Sequence, residues 1–302
     1  MIRLIRSELI KLRTTNMWWI FLICSLAFTG LALLINTAQA HQDLQMPSWL
    51  SEEPPAGFSD EEKAQYLANY QAEQERVQAA RTAAGLAKHA ASIYTSGQFF
   101  GLLLVMLLAI LLITNEYYHQ TATATFLATP KRTKVIVAKL ITGAAMAVAF
   151  WLIATVIDLV TGAIFFADLG YSNSLGHWTA QQAILLNLLV YVLWAIFGIG
   201  VGVLLRSQIG ATITAAVLYT VGTYAALAML ALIHEYLIKK DWVMQAAVYI
   251  PPLASLHVVG GLSDQLGDTH LPARWVGALI LIGYAVVLGT IGTLVTRKRD
   301  VA

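Results

Sequence analysis

Long apolar runs alternate with short polar ones along this chain. Six of the runs reach the roughly 20 apolar residues that a helix needs to cross a hydrocarbon core of about 30 Å. They cover residues 17–37, 93–114, 139–167, 181–205, 210–234 and 275–296. The predicted fold class is an all-α polytopic membrane protein with six transmembrane helices. Composition points the same way, since 58% of the 302 residues are hydrophobic and 12% are charged, against about 25% charged in a typical soluble domain. Cys24 is the single cysteine and falls in the first run, which excludes an intrachain disulfide and a cysteine metal cluster.

The polar stretches have patterns of their own. In residues 1–15, Ile2, Ile5, Leu9 and Leu12 share a helical face, with Arg3, Arg6, Lys11 and Arg13 elsewhere, as in an amphipathic interfacial helix. A secretory signal would also put basic residues before an apolar run and a site such as Ala38-Gln39-Ala40 after it. Its apolar part, however, is only about 7–15 residues long, and the run here is long enough to span.

Residues 38–92 open with Pro47, Pro54, Pro55 and Gly57; Ser59-Asp60-Glu61-Glu62 then reads as a capping box. It predicts an acidic external helix leading to the second span, a solvated spacer rather than a docking element because no concentrated apolar patch marks it. Within residues 235–274, the stretch from Tyr249 through Pro251 and Pro252 to Leu256 is too short and too proline-broken to cross. An extracytoplasmic cap or re-entrant turn is expected there. Trp18, Trp19, Trp178, Trp242 and Trp275 fall near span ends, as aromatic anchors do.

Charge location gives an orientation, because Lys and Arg near span ends are retained on the cytoplasmic side. Arg3, Arg6, Lys11 and Arg13 precede span 1; Lys131, Arg132, Lys134 and Lys139 lie between spans 2 and 3; Arg206 separates spans 4 and 5; and Arg297, Lys298 and Arg299 follow span 6. All fall on one side. Asp43, Glu52, Glu53, Asp60, Glu61, Glu62, Glu73, Glu75, Asp241, Asp264 and Asp268 fall on the other. Both termini, including the tail 297–302, are therefore expected in the cytoplasm. The net charge of +2 averages over this asymmetry and gives no support to a nucleic-acid partner.

No catalytic constellation stands out. The chain has no G-x-x-x-x-G-K-[ST] phosphate loop, no H-E-x-x-H and no G-x-S-x-G. Its seven histidines are scattered, and His234-Glu235 reads as an interfacial cap rather than a metal site. Within the spans, Asp158 has no basic residue in a neighbouring span to pair with, and near the outer interface it reads as a snorkelling or helix-contacting carboxylate. Asn187 suits an interhelical hydrogen bond, and Gly198, Gly200, Gly202, Gly289 and Gly292 suit close helix approach. Thr212, Tyr219, Thr220 and Thr223 fall on one face of the fifth span. Two readings of that stripe stand: a pathway or dimer interface, or threonines bonded back to their own helix.

A more specific pattern joins spans 2 and 3. Span 2 ends in Thr114-Asn115-Glu116-Tyr117, continues through His119-Gln120-Thr121 and Thr125-Phe126-Leu127-Ala128-Thr129-Pro130-Lys131-Arg132, and enters span 3 through Val137-Ala138-Lys139-Leu140. Together with Ser7-Glu8-Leu9-Ile10-Lys11-Leu12-Arg13 at the start and Arg299-Asp300-Val301 at the end, this resembles the permease subunit of type-2 ABC exporters. The resemblance runs along essentially the whole chain. It implies a half-transporter in a bacterial-type cytoplasmic membrane, pairing with a second permease copy or a related permease. Two separate ABC ATPase subunits would bind ATP and Mg, leaving this chain with no cofactor and no catalytic residue of its own.

Residues 115–138 would form the coupling segment, with Glu116, Tyr117, Thr121, Thr125, Pro130, Lys131 and Arg132 carrying the coupling role. Gln120 stands where the family often has glycine, so a different local turn is expected there. The mostly apolar spans with threonines and tyrosines suit a hydrophobic or amphiphilic cargo such as a drug, peptide or lipid. Two other classes stay open. One is a secondary transporter, for which inverted repeats and midplane charges would be expected; the other is a non-transporting polytopic scaffold.

Overall fold

The computed structural model describes residues 1–48, 50–121, 125, 127, 132–205, 207–266 and 270–298, and among them every regular element is helical. The elements are α1 (Ile2–Thr14), α2 (Met17–Asp43), α3 (Asp60–Arg81), α4 (Ala83–Tyr94), α5 (Gln98–Tyr118), α6 (Arg132–Asp168) and α7 (Trp178–Leu205). They are followed by α8 (Gln208–Val217), a π-turn at Leu218–Gly222, α9 (Thr223–Tyr236), α10 (Asp241–Gln245), α11 (Pro251–Val259), α12 (Leu262–Leu266) and α13 (Arg274–Lys298). Among the described residues six helices are long and apolar enough to cross a membrane, so the chain is a multi-pass membrane protein.

These six are α2, the nearly continuous pair α4 and α5, α6, α7, the run from α8 through the π-turn to α9, and α13. The second begins ten residues before the expected position 93. Leu86, Ala87, Ala90, Ile93 and Tyr94 of α4 are buried, so this helix belongs to the bundle rather than to an external spacer. The capping box forms as predicted: the Ser59 hydroxyl accepts from the Glu62 backbone N–H while the Glu62 carboxylate accepts from the Ser59 N–H at 2.7 Å.

Span 2 is the axis of the bundle, and its close contact with α7 explains the glycines of the latter. A Cβ on Gly198 would stand 2.4 Å from the Met106 carbonyl, and one on Gly202 3.1 Å from that of Ile110. Gly200, on another face, would meet Leu288 of α13 at 2.9 Å. Small residues thus let three helix backbones approach, where lipid supplies no hydrophobic drive for helix association. The same contacts fix direction. Gly143 near the start of α6 abuts Ile199 near the end of α7, and Gly292 near the end of α13 abuts Val203. The start of α6 and the ends of α5, α7 and α13 therefore share one end of the bundle.

At the far end, the chain from Asp241 to Tyr249 and Pro251 to Val259 bends by 98°. Proline in the first turn of α11 starts the new helix without losing a hydrogen bond. Ser255 of this helix accepts a hydrogen bond from the Trp194 indole at 2.7 Å through its hydroxyl, and one from Gln98 at 3.2 Å through its carbonyl. The proline-broken stretch is thereby pinned into the bundle.

Candidate functional site

The first helix sets up the site. Its buried face is made by Leu4, Ile5, Glu8, Lys11 and Leu12, whereas Ile2 is 83% and Leu9 45% exposed. The single apolar face of Ile2, Ile5, Leu9 and Leu12 is therefore split, because α1 packs against α6 through a stripe that includes charged residues. Glu8 is buried on that stripe.

A buried carboxylate needs partners, and four charges supply one another. Lys139, in the early turns of α6, lies 2.6 Å from Glu8 Oε2 and 3.0 Å from Glu116 Oε1. Lys11 lies 2.8 Å from Glu8 Oε1 and 2.6 Å from Glu116 Oε1. Two carboxylates and two ammonium groups form a ring of zero net charge that ties α1, the end of span 2 and the start of span 3 together. Lys139 also donates to the Leu112 carbonyl at 3.1 Å, so the buried ammonium has two hydrogen-bond acceptors, Glu8 and Leu112, besides its ion pair with Glu116. Lys11 is half-exposed; burial acts to lower its pKa, but the hydrogen bonds to Glu116 and Glu8 outweigh it and the value is raised.

Beside this ring lies a cleft of about 570 Å³ between α1 and the end of α5, lined among others by Ser7, Thr15, Asn115, His119, Thr121 and Thr125. Gln120 shapes its edge. The Thr121 N–H bonds the Glu116 carbonyl at 2.9 Å and the Gln120 N–H bonds that of Tyr117 at 3.2 Å, which is a Schellman closure of α5. Gln120 takes the left-handed position with φ +54°. The turn is thus of the kind that glycine makes without steric cost.

Of the sequence-derived coupling residues, Glu116 is in the charge ring, Tyr117 packs partly buried against the core, and Thr121 and Thr125 line the cleft. Pro130 and Lys131 lie outside the described residues, as does the side chain of Arg132. Sequence reasoning missed Glu8 as a site residue and took Lys11 and Lys139 only as flanking charge. The signal was present, since a glutamate three residues after Ile5 and four before Leu12 sits on the apolar stripe and must be paired.

The stripe in the fifth span is occupied from within. Tyr219 and Thr223 are buried, and the Tyr219 hydroxyl donates to the Phe99 carbonyl at 2.7 Å. Thr212, Thr220 and Thr223 donate to the carbonyls of Gln208, Ala216 and Tyr219 in the preceding turn. Asp158 is 2% exposed and its Oδ1 makes no hydrogen bond, so it does not snorkel to an interface. Among the described residues no group of three His, Cys, Asp or Glu side chains could hold a metal ion.

None of the curated proteins compared with the chain matches it significantly. A family profile does match, over residues 58–302, taking in Glu116 and Lys139 and leaving out Glu8 and Lys11. By that match the chain belongs to the family of proteins of unknown function DUF2705.

Proposed function

We propose that this chain is the transmembrane permease subunit of an ATP-driven ABC exporter, moving a hydrophobic or amphiphilic compound out of the cytoplasm or the inner leaflet. The observation that carries the reading is the convergence of three separate motifs on one ring. Glu8 and Lys11 come from the opening, Glu116 from the exit of span 2 and Lys139 from the start of span 3, the two ends of the Lys139–Glu8 bond standing 131 positions apart in the sequence. Residues that belong to one pattern in the sequence belong to one mechanical unit in space.

In this reading the basic end of the bundle faces the cytoplasm, α1 lies along the membrane interface with Ile2 and Leu9 toward lipid, and α3 lies outside. Two ATPase subunits, carrying ATP and Mg, dock at the cleft between α1 and the coupling segment. When they close, the push reaches spans 2 and 3 and α1 together. Separating Lys139 from Glu8 and Glu116 would leave buried ions uncompensated in a low-dielectric setting, at a cost of several kcal/mol. The ring therefore moves as a body, and the spans attached to it tilt between two arrangements. Nucleotide shifts that equilibrium only as far as its affinity differs between them.

Purification of the full chain from native membranes, followed by reconstitution, tests the proposal. A co-purifying ATPase and ATP-dependent efflux are expected. Transport driven by an ion gradient alone, or cargo movement by the isolated chain, would overturn it.

A further inference from the structure

We infer that Asp158, with Thr155 beside it and Asn187 on the facing helix, binds one monovalent alkali cation inside the bundle. All three residues are at most 3% exposed, and among the described residues Asp158 Oδ1, Thr155 Oγ1 and Asn187 Oδ1 have no hydrogen-bond partner. Each orphan atom is an oxygen. The carboxylate and amide oxygens can only accept, so they call for a positive centre rather than for one another.

Neighbour relations bring the three together. Thr155 and Asp158 stand three positions apart on α6 and share a face, as Asn187 and Tyr191, four apart, do on α7. The two faces meet, because the Asp158 carboxylate lies within electrostatic reach of the Tyr191 hydroxyl. Packing around them is close. A Cβ on Gly101 of α5 would collide with that hydroxyl, and one on Gly97, four residues earlier, would collide with Thr29 of α2. Helices that approach through glycines in this way favour a bare ion over an organic cation.

Charge sets the valence. Helices α2, α5 and α7 contain no Lys or Arg, and Lys139 of α6 stands nineteen residues away, about 28 Å at the helical rise. On α4, Lys88 and His89 come five and four residues before Ile93, which meets Gly162 a turn past Asp158 on the outer side. No basic side chain of these helices therefore reaches the carboxylate. An ionisable group at such a place in a membrane span is costly and marks an ion site. A monovalent cation brings the cluster to zero net charge, whereas a divalent one would leave a buried positive charge uncompensated.

The test uses the full chain purified in detergent, with sodium as the probe and choline as the control at equal ionic strength. Radiolabelled sodium should bind saturably at one ion per chain, and the thermal midpoint should climb with sodium concentration, as binding to the folded state requires. Asp158→Asn, which keeps the side-chain shape, should abolish both responses. Thr155→Val should weaken binding about tenfold, equivalent to about 1.4 kcal/mol. Should Asp158→Asn fail to fold, the unaltered chain and Thr155→Val decide. Three results would overturn the inference: no saturable binding to the unaltered chain, as for water alone; sodium binding that survives Asp158→Asn, as for an ion held by the acidic segment 38–92; or a midpoint that follows pH and ignores sodium, as for a proton.

Discussion

Lys139 of α6 and Glu8 of α1 form a buried ion pair at 2.6 Å, with both side chains at most 5% exposed. Such a pair is weak evidence for stability, but removing Lys139 leaves two buried carboxylates sharing the half-exposed Lys11, an excess buried charge that costs up to about 3–5 kcal/mol. Lys139→Met is therefore expected to destabilise the helical bundle by about that much, and Glu8→Gln added to it should recover part of the loss. A double-mutant cycle by denaturant titration in detergent measures both.

Gln120 occupies a left-handed position at the end of α5. A side chain there costs about 1–2 kcal/mol that glycine does not incur. Gln120→Gly should raise stability by about 1 kcal/mol with the turn unchanged, readable as a higher thermal midpoint.

Lys11 carries a pH dependence. Its folded pKa is raised from 10.5, so the stability it contributes is present below 10.5 and is lost as pH climbs through the raised value. A nitroxide on the exposed Leu9 position should keep its mobility from about pH 7 to 10 and gain mobility above that range as α1 loosens.

If the coupling assignment holds, charge reversal at Lys131 and Arg132, or Glu116→Gln, should uncouple ATP hydrolysis from transport while the assembly stays inserted. The measurement is substrate-stimulated hydrolysis, expected to fall at least about tenfold, which is about 1.4 kcal/mol of lost coupling. Unchanged stimulation would remove these residues from the assignment.

The six spans were legible because crossing a hydrocarbon core needs length and apolarity, which are local properties of sequence. Span 2 exceeded its predicted start because α4 reads as weakly apolar: Lys88 and His89 interrupt it, while its small alanines bury well against other helices. Glu116 was legible through its motif. The ring was not, because the pairing of Lys139 with Glu8 depends on how α1 folds back on α6, and sequence separation hides that contact. For Thr212, Thr220 and Thr223 periodicity gave the shared face but not the partner of each hydroxyl, and the back-bonds to Gln208, Ala216 and Tyr219 are those of the second of the two readings.

The most direct test is photo-crosslinking in native membranes from a reactive residue at Thr121, beside the charge ring, with Tyr171 at the opposite end of the bundle as the control. A single adduct from position 121 to an ATP-binding subunit, altered by nucleotide and absent from position 171, is the predicted result. An adduct to that subunit from position 171 instead, or labelling of position 121 by an impermeant reagent from outside intact cells, would contradict the proposed docking end.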